Sequence, residues 1–281
     1  MRAAPHVLRA AIMGACSTLL LLGRAEQASA LSLATNNPLL EHRLSPGQTA
    51  QGTVEVSNDA ATPAIVSVYL EDWRYTQVGD GSKEFAPPRT LPRSAADWIS
   101  FSPTRLEIPA HGRSQIEYTI RTPSDRPLDG GYYAVLFMES GIGHGRQQDN
   151  PEAIAVEIEY AARIGSLFLL EVNGTTKPQA RLASLVATPP SAGRPLTVEG
   201  TFVNEGNVVA RCEAGSFHIQ DASGILAARG GLPDRYVWPG DQVPFLAQWE
   251  GSLAPGSYNM VLSYDCGDEL VVGEEVPLSV P

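Results

Sequence analysis

The chain is dominated by short runs of β-branched and aromatic residues that end at turn sequences. Residues 53–56 (Thr-Val-Glu-Val) and 115–120 (Gln-Ile-Glu-Tyr-Thr-Ile) alternate polar and apolar side chains, which is typical of strands with one buried face. Helical periodicity is nearly absent after residue 30, and Pro-Gly, Asn-Asp and Gly-Gly pairs separate the runs. The pattern therefore predicts an all-β protein.

The predicted strands form two series, separated at residues 173–178 by the sequence Asn-Gly-Thr-Thr-Lys-Pro. Strands of this number and spacing favour two immunoglobulin-like β-sandwich domains in tandem, at residues 31–173 and 174–281, over a propeller or a transmembrane barrel. Residues 76–96, rich in proline, glycine and mixed charge, predict a long surface loop. The predicted strands are 39–43, 49–57, 63–73, 97–102, 104–109, 113–121, 131–139 and 153–172, then 180–187, 195–203, 208–219, 224–229, 242–249, 257–265 and 269–279.

The two predicted domains also echo each other in sequence. Asn58 and Asn204 each close the second predicted strand of their domain, and Tyr132 and Tyr258 each follow a glycine turn. The tyrosines are similar to the corner residue of immunoglobulin-like sandwiches, whose hydroxyl bonds back to the main chain. Chance similarity between short β motifs is the alternative.

The N-terminus has the three parts of a secretory signal peptide. Arg2 and Arg9 are basic, residues 10–23 form a short apolar run, and Ala28-Ser29-Ala30 matches the small-x-small cleavage pattern. The run is shorter than the roughly 20 residues that a membrane-spanning helix needs, which disfavours a retained anchor. A lipoprotein cysteine at Cys16 is disfavoured because the apolar run continues past it. We expect cleavage after Ala30, a periplasmic or otherwise exported protein, and no membrane span in the mature chain.

The net charge argues against one class of partner, and the cysteine count predicts a disulfide bond. Removing residues 1–30 takes away three Arg and one Glu, so the formal net charge falls from −11 to −13. Such a surface repels nucleic-acid phosphates, and we predict no nucleic-acid partner. The two remaining cysteines, Cys212 and Cys266, predict a disulfide bond, because an even count in an exported protein favours pairing.

No motif for catalysis, cofactor binding or metal binding is present. Nucleophile elbows, zincin motifs, Walker sequences and dinucleotide fingerprints are missing. His42, His111, His144 and His218 are isolated from one another in sequence. We therefore predict a protein that is not an enzyme and has no cofactor and no metal site. Calcium binding at residues 80–84 or 265–269 is left open, since neither acidic run alone supplies six to eight oxygen ligands.

Two aromatic segments allow opposite interpretations. Residues 73–75 (Trp-Arg-Tyr) and 236–238 (Tyr-Val-Trp) both adjoin predicted turns. Exposed, they would support glycan or peptide binding; buried, they would be ordinary sandwich core.

Five motifs of the first predicted domain occur in a fixed order. They are Leu44-Ser45-Pro46-Gly47-Gln48, Val54-Glu55-Val56-Ser57-Asn58, Trp98-Ile99-Ser100-Phe101-Ser102-Pro103, Leu106-Glu107-Ile108-Pro109 and Gly131-Tyr132-Tyr133-Ala134-Val135-Leu136-Phe137. Across residues 38–170 this series resembles the N-terminal domain of periplasmic pilus-assembly (fimbrial) chaperones. The resemblance implies a chaperone-like protein of the cell envelope that holds an extended pilus-type subunit by adding an edge strand to it.

The resemblance also implies site residues. The edge strand would present Ile154, Val156, Ile158 and Tyr160, which alternate with Ala155, Glu157 and Glu159. The same alternation also fits a core-facing strand. Family members anchor the subunit's terminal carboxylate with an Arg and a Lys; Arg43 and Arg163 are the candidate anchors here, and Gly165 and Ser166 stand where the family has its Lys. The alternative function is a structural or adhesive envelope protein that binds a protein or glycan through its loops.

Overall fold

The computed structural model describes residues 33–147, 156–191, 193–267 and 270–281, with the backbone alone for 142–147 and 156–160. The predicted signal peptide and its cleavage site lie outside these residues. The described chain is built from β-strands and one 3₁₀ turn, Ala96–Trp98. The strands before residue 173 are β1 (Leu33–Thr35), β2 (Leu39–Leu44), β3 (Thr49–Asn58), β4 (Ala64–Tyr75), β5 (Lys83–Ala86), β6 (Ile99–Ser102), β7 (Arg105–Ile108), β8 (Arg113–Arg121), β9 (Gly131–Gln147) and β10 (Val156–Val172).

The strands after residue 173 are also short and are joined by turns. They are β11 (Ala180–Thr188), β12 (Leu196–Asn204), β13 (Ala210–Cys212), β14 (Ala214–Asp221), β15 (Leu226–Leu232), β16 (Arg235–Val237), β17 (Gln242–Trp249), β18 (Gly256–Asp265) and β19 (Val271–Val280).

The first sandwich packs two sheets around one hydrophobic core. One sheet has the order β1-β3-β8-β6, and the other has the order β2-β10-β9-β4-β5, with β7 pairing β4. On β8, Ile116 and Ile120 are fully buried while Gln115 and Glu117 are exposed. The alternation seen in the sequence thus places one face of the strand in the core, as predicted.

The second sandwich has its own core. Its sheets are β11-β12-β17 and β15-β14-β18-β19, with β13 and β16 paired as a separate two-stranded ladder. Its core includes Phe202, Phe217 and Tyr264, all fully buried. Since each half of the chain builds a sandwich, the predicted all-β architecture of two sandwiches is confirmed.

Several elements differ from the prediction. The expected loop at 76–96 contains β5, which pairs with β4, and the expected strand at 208–219 is interrupted between Cys212 and Ala214. Three-residue strands β1 and β16 also form. These elements are too short for a period-two signal, and β5 carries Lys83 and Glu84, residues that disfavour strands in sequence.

The echoed tyrosines do tie back to the main chain. The hydroxyl of Tyr132 accepts a hydrogen bond from the Asp129 N–H at 3.3 Å, and the hydroxyl of Tyr258 donates to the Ala254 carbonyl at 2.9 Å. Both bonds hold the turn that precedes the strand, as in the immunoglobulin corner.

The link between the sandwiches, residues 173–179, is bonded on both sides. Thr175 Oγ1 donates to the Val172 carbonyl and accepts from the Gly130 N–H, both at 2.9 Å. Asn207 of the second sandwich accepts from the Lys177 N–H at 2.7 Å and donates to the Thr175 carbonyl at 2.8 Å. The link is therefore held by both domains.

Candidate functional site: the open edge of β10

Strand β10 has different neighbours along its two sides. On one side it pairs antiparallel with β9 from Val156 to Glu171. On the other side it pairs parallel with β2, but only from Leu167 to Val172. Within the described chain, residues 156–166 therefore have no strand on their second side.

The hydrogen bonds to β2 show which main-chain groups face the open side. Leu167 N donates to the Pro38 carbonyl at 2.9 Å, and Asn173 N donates to the Leu44 carbonyl at 3.0 Å. Odd-numbered residues of β10 thus direct N–H and C=O toward β2. Because β10 pairs with β9 without a register shift from Ala161 to Glu171, the same period directs the main chain of Ala161, Arg163 and Gly165 toward the open side.

The predicted partner-binding residues lie at the far end of this strand. Beyond the Ser67–Glu139 pair, β9 has no β4 partner, so its remainder and the start of β10 form a two-stranded ribbon. Val156 and Ile158 lie on the ribbon opposite Gln147 and Gly145, and Tyr160 lies at a register shift. Ile154 lies outside the described residues, as do the side chains of the other three.

Farther along β10, where the side chains are described, the even-numbered positions face the core. Phe168, Leu170 and Val172 are buried, and Ile164 packs against the core with partial exposure. Val156, Ile158 and Tyr160 continue these even-numbered positions past the end of β2. Whether these positions belong to the core or contact a partner therefore depends on what covers the ribbon.

The two candidate anchors are not brought together. Arg43 lies beside Glu171 in the β2–β10 ladder and binds its carboxylate at 3.0 Å. Arg163 precedes Glu171 by eight positions on β10, which is about 26 Å along a strand. One carboxylate cannot contact both.

Arg163 lies on the outer face of the sheet among aromatic and acidic side chains. Its guanidinium is 4.2 Å from the Phe137 ring centroid and 3.5 Å from the Glu71 carboxylate. The pKa of Arg163 is raised, with a hydrogen bond to Tyr69 as the largest cause. Tyr69 in turn donates to Glu139. The charge of Arg163 is thus neutralised within its own sheet.

A cleft of about 640 Å³ opens between the sandwiches near the C-terminal end of β10. Arg211 of the second sandwich binds Glu41 of β2 across it. Burial lowers the pKa of His42, whose Nε2 lies 3.1 Å from the Tyr118 hydroxyl. The residues lining the cleft are Glu41, His42, Arg43, Leu169, Glu171, Val209, Arg211, Glu213, Ala214, Asp265, Cys266 and Gly267.

The two aromatic segments join the sandwiches. Trp73 and Trp238 are 1% and 7% exposed, with their rings 5.8 Å apart. Tyr133 packs 4.4 Å from Trp238 and accepts a hydrogen bond from the Val209 N–H at 3.0 Å. Desolvation raises the pKa of Tyr133 and, to about 12, that of Tyr75. The interpretation of these segments as exposed binding surface is wrong, because each buries the other.

The predicted disulfide between Cys212 and Cys266 is confirmed. The two Cα atoms are 4.0 Å apart, next to the Ala214–Asp265 pair of the β14–β18 ladder. Cys212 is the last residue of β13, and Cys266 directly follows β18. Of the two cysteines, Cys266 is among the residues that line the cleft.

In the part of the chain that the structure describes, no three His, Cys, Asp or Glu side chains converge as a metal site would require. Among those residues, no helix is long and apolar enough to cross a membrane.

Sequence reasoning named Gly165 only for its place in the family motif and missed its role in shaping the open edge. Gly165 fits closely against its neighbours: an added Cβ would lie 2.9 Å from Val135 and 3.0 Å from Phe137. A glycine inside an apolar strand is the one signal that was available, because it often marks a close approach.

The chain is similar in structure to fimbrial chaperones. The class 5 fimbriae chaperone CfaA is 14% identical, with a TM-score of 0.41, over 89% of this chain and 100% of that one. The YadV chaperone is 12% identical, with a TM-score of 0.42, over 88% and 99%. A chain of the CsuC–CsuE chaperone–tip adhesion subunit complex from archaic Csu pili of Acinetobacter baumannii is 15% identical, with a TM-score of 0.39, over 89% and 98%.

No protein-family model and no curated protein matches the sequence. The solved structures belong to the class of proteins that the sequence motifs resemble.

Proposed function

We propose that this chain is an exported, non-catalytic binding protein, chaperone-like and periplasmic, which holds an extended polypeptide by β-strand addition to β10. The observation that carries the proposal is that, among the residues that the structure describes, no strand pairs with the second side of β10 between residues 156 and 166. An incoming strand would bond to the outward main-chain groups of Ala161, Arg163 and Gly165. Its partner class is an exported polypeptide segment of the pilus-subunit type that the motifs imply.

Two other edge strands, β17 and β19, contain proline, which discourages pairing. Pro244 lies in β17, and Pro277 follows Glu274 and Glu275 in β19. Proline and charge on an edge prevent unwanted strand addition. Residues 156–166 of β10 contain no proline, although Glu157, Glu159 and Arg163 are charged. The absence of proline leaves every main-chain N–H of this stretch able to bond, which supports a functional edge at β10.

The test uses a synthetic peptide of alternating valine and threonine, capped at both ends and long enough to span residues 157–165. Binding is measured by fluorescence anisotropy, with a scrambled peptide of the same composition as control. We expect the alternating peptide to bind and the scrambled one to bind poorly. Equal binding of both peptides, or binding of neither, would contradict the proposal.

Two adjacent alanines supply matched variants. Ala161→Pro removes an outward N–H, so the protein should fold while peptide binding weakens by about tenfold. Ala162→Pro removes an N–H that faces β9 at the Ala162–Ser140 pair, so its main effect should be a lower melting temperature. Full binding by Ala161→Pro would place the peptide elsewhere.

A further inference from the structure

Within the described part of the chain, the stretch of β10 that faces the open side has strand pairing on one side only. From Ala161 to Ser166 it pairs with β9, whereas from Leu167 to Val172 it pairs with β2 as well. A strand with one neighbour loses its register and twist more easily than one inside a sheet. Side-chain contacts must therefore keep this stretch in the plane of the sheet.

Arg163 is the middle one of Ala161, Arg163 and Gly165, the three residues whose main chain faces the open side. Its side chain lies on the outer face of the sheet and crosses the neighbouring strands. The guanidinium lies over Phe137 of β9 at 4.2 Å and reaches Phe85 of β5 at 5.4 Å. It also pairs with Glu71 of β4 at 3.5 Å. One side chain thus connects β10 to three other strands of its sheet.

The packing around Phe137 explains why this contact is specific. Phe137 is 4% exposed although it lies on the outer face of the sheet. Phe85 packs against it at 4.9 Å and Tyr69 at 5.8 Å. Gly165, directly opposite Phe137 in the ladder, leaves the ring room that a side chain would fill. Arg163 then covers the ring from the β10 side, and a planar cation is the shape that stacks best there.

We propose that Arg163 is a positioning residue for strand addition: stacked on Phe137 and paired with Glu71, it holds the open stretch of β10 in a conformation ready to accept a strand. The inference rests on the proposed function of that edge. This role differs from that of a carboxylate anchor, because the guanidinium of Arg163 is directed at Glu71 and at the rings of Phe137 and Phe85 on its own sheet. Binding improves when the receiving strand is preorganised.

The first test measures amide hydrogen exchange in the free protein, without any peptide. In Arg163→Met, the amides of Ala162 and Ile164 should exchange about tenfold faster than in the wild type, since their bonds to β9 open more often. The amides of Phe168 and Leu170, where β2 supports the strand, should be unchanged. Unchanged exchange at Ala162 and Ile164 would overturn the inference whatever the protein binds.

The second test measures peptide binding with the alternating valine–threonine peptide in amidated and free-carboxylate forms. Arg163→Met should weaken both forms about tenfold, and Arg163→Lys should recover part of the loss because it keeps the charge but not the stacking. A loss confined to the free-carboxylate form would show an anchor and overturn the positioning role. Arg113→Met is the matched control, because Arg113 pairs with Glu55 on the other sheet at 3.1 Å, and its binding should be unchanged.

Failure of the proposed function and failure of the positioning role of Arg163 give different results. If the wild type binds neither peptide, the proposed function fails while the exchange measurement still decides the role of Arg163. If the wild type binds and Arg163→Met binds equally well with an unchanged melting temperature, the proposed function stands and the positioning role fails.

Discussion

Asn58 and Asn204 make the same hydrogen-bond pattern at the end of the second long strand of each sandwich. Each side-chain oxygen accepts from the N–H two residues on, Ala60 at 3.1 Å and Gly206 at 2.9 Å. Each amide nitrogen donates to the carbonyl four residues on, at 2.8 Å and 2.9 Å. Both nitrogens also bond to a distant segment. The similarity of the two sequences at Asn58 and Asn204 therefore reflects the same hydrogen-bonded turn in both sandwiches.

We expect both asparagines to be important for stability. Asn204→Ala removes the side-chain donor to the buried carbonyls of Val208 and Val237, which should cost roughly 2–4 kcal/mol in urea unfolding, and Asn58→Ala should cost a similar amount. Asn259→Ala, which loses only a surface bond to Glu275, is the control and should cost about 0.5 kcal/mol or less. A cost at Asn204 no greater than the control's would contradict the account.

The disulfide should stabilise the second sandwich. Cys212 and Cys266 are 54 positions apart, and closing a loop of this length contributes about 4 kcal/mol in the chain-entropy model. Intact mass with and without reductant should differ by the two hydrogens of one bridge, and the double variant Cys212→Ala/Cys266→Ala should unfold at lower urea. Two thiols that alkylate freely without reductant would refute the pairing.

His42 should make stability depend on pH. Burial lowers its pKa from the ordinary 6.5, so between the two pKa values the unfolded chain binds more protons than the folded one. This contribution is complete above about pH 6.5 and is lost as pH falls through the folded pKa. Unfolding free energies measured from pH 8 to pH 5 should therefore fall more steeply for the wild type than for His42→Gln; parallel curves would exclude the effect.

Ile158→Asp separates the partner and core interpretations of the ribbon. Because Ile158 lies beyond the ends of the β2 and β4 ladders, we expect the free protein to keep its melting temperature and to lose binding of the alternating peptide. Leu170→Asp is the matched control, on the same strand but 1% exposed, and should unfold the domain. If Ile158→Asp melts as early as the control, the ribbon is core.

Export should remove the first thirty residues. We expect N-terminal sequencing of the exported protein to begin at Leu31, since Ala28-Ser29-Ala30 fits the cleavage pattern. Ala30→Arg should block processing and leave an uncut precursor. An intact Met1 end on wild-type protein in the membrane fraction would show a retained anchor instead.

The sequence predicts strands well where one face is buried, and it fails where tertiary contacts decide. The alternation of β8 is enough to place Ile116 in a core. The alternation alone could not show the open edge of β10, because alternating residues look the same whether β2 covers the whole strand or begins only opposite Leu167; the edge strand was predicted from the family resemblance instead. Likewise, Trp73 and Trp238 are ambiguous alone, and only their contact across the domain junction shows that both are buried.

The bonded link between the sandwiches has a consequence for how the protein resists proteases. A protease needs several residues of extended chain in its active site, and segments joining two domains usually supply them. Here Thr175 is bonded to Val172 and Gly130, and Lys177 is bonded to Asn207. Cleavage at residues 173–179 therefore requires the domains to separate first, so the rate of cutting there measures the opening of the whole junction.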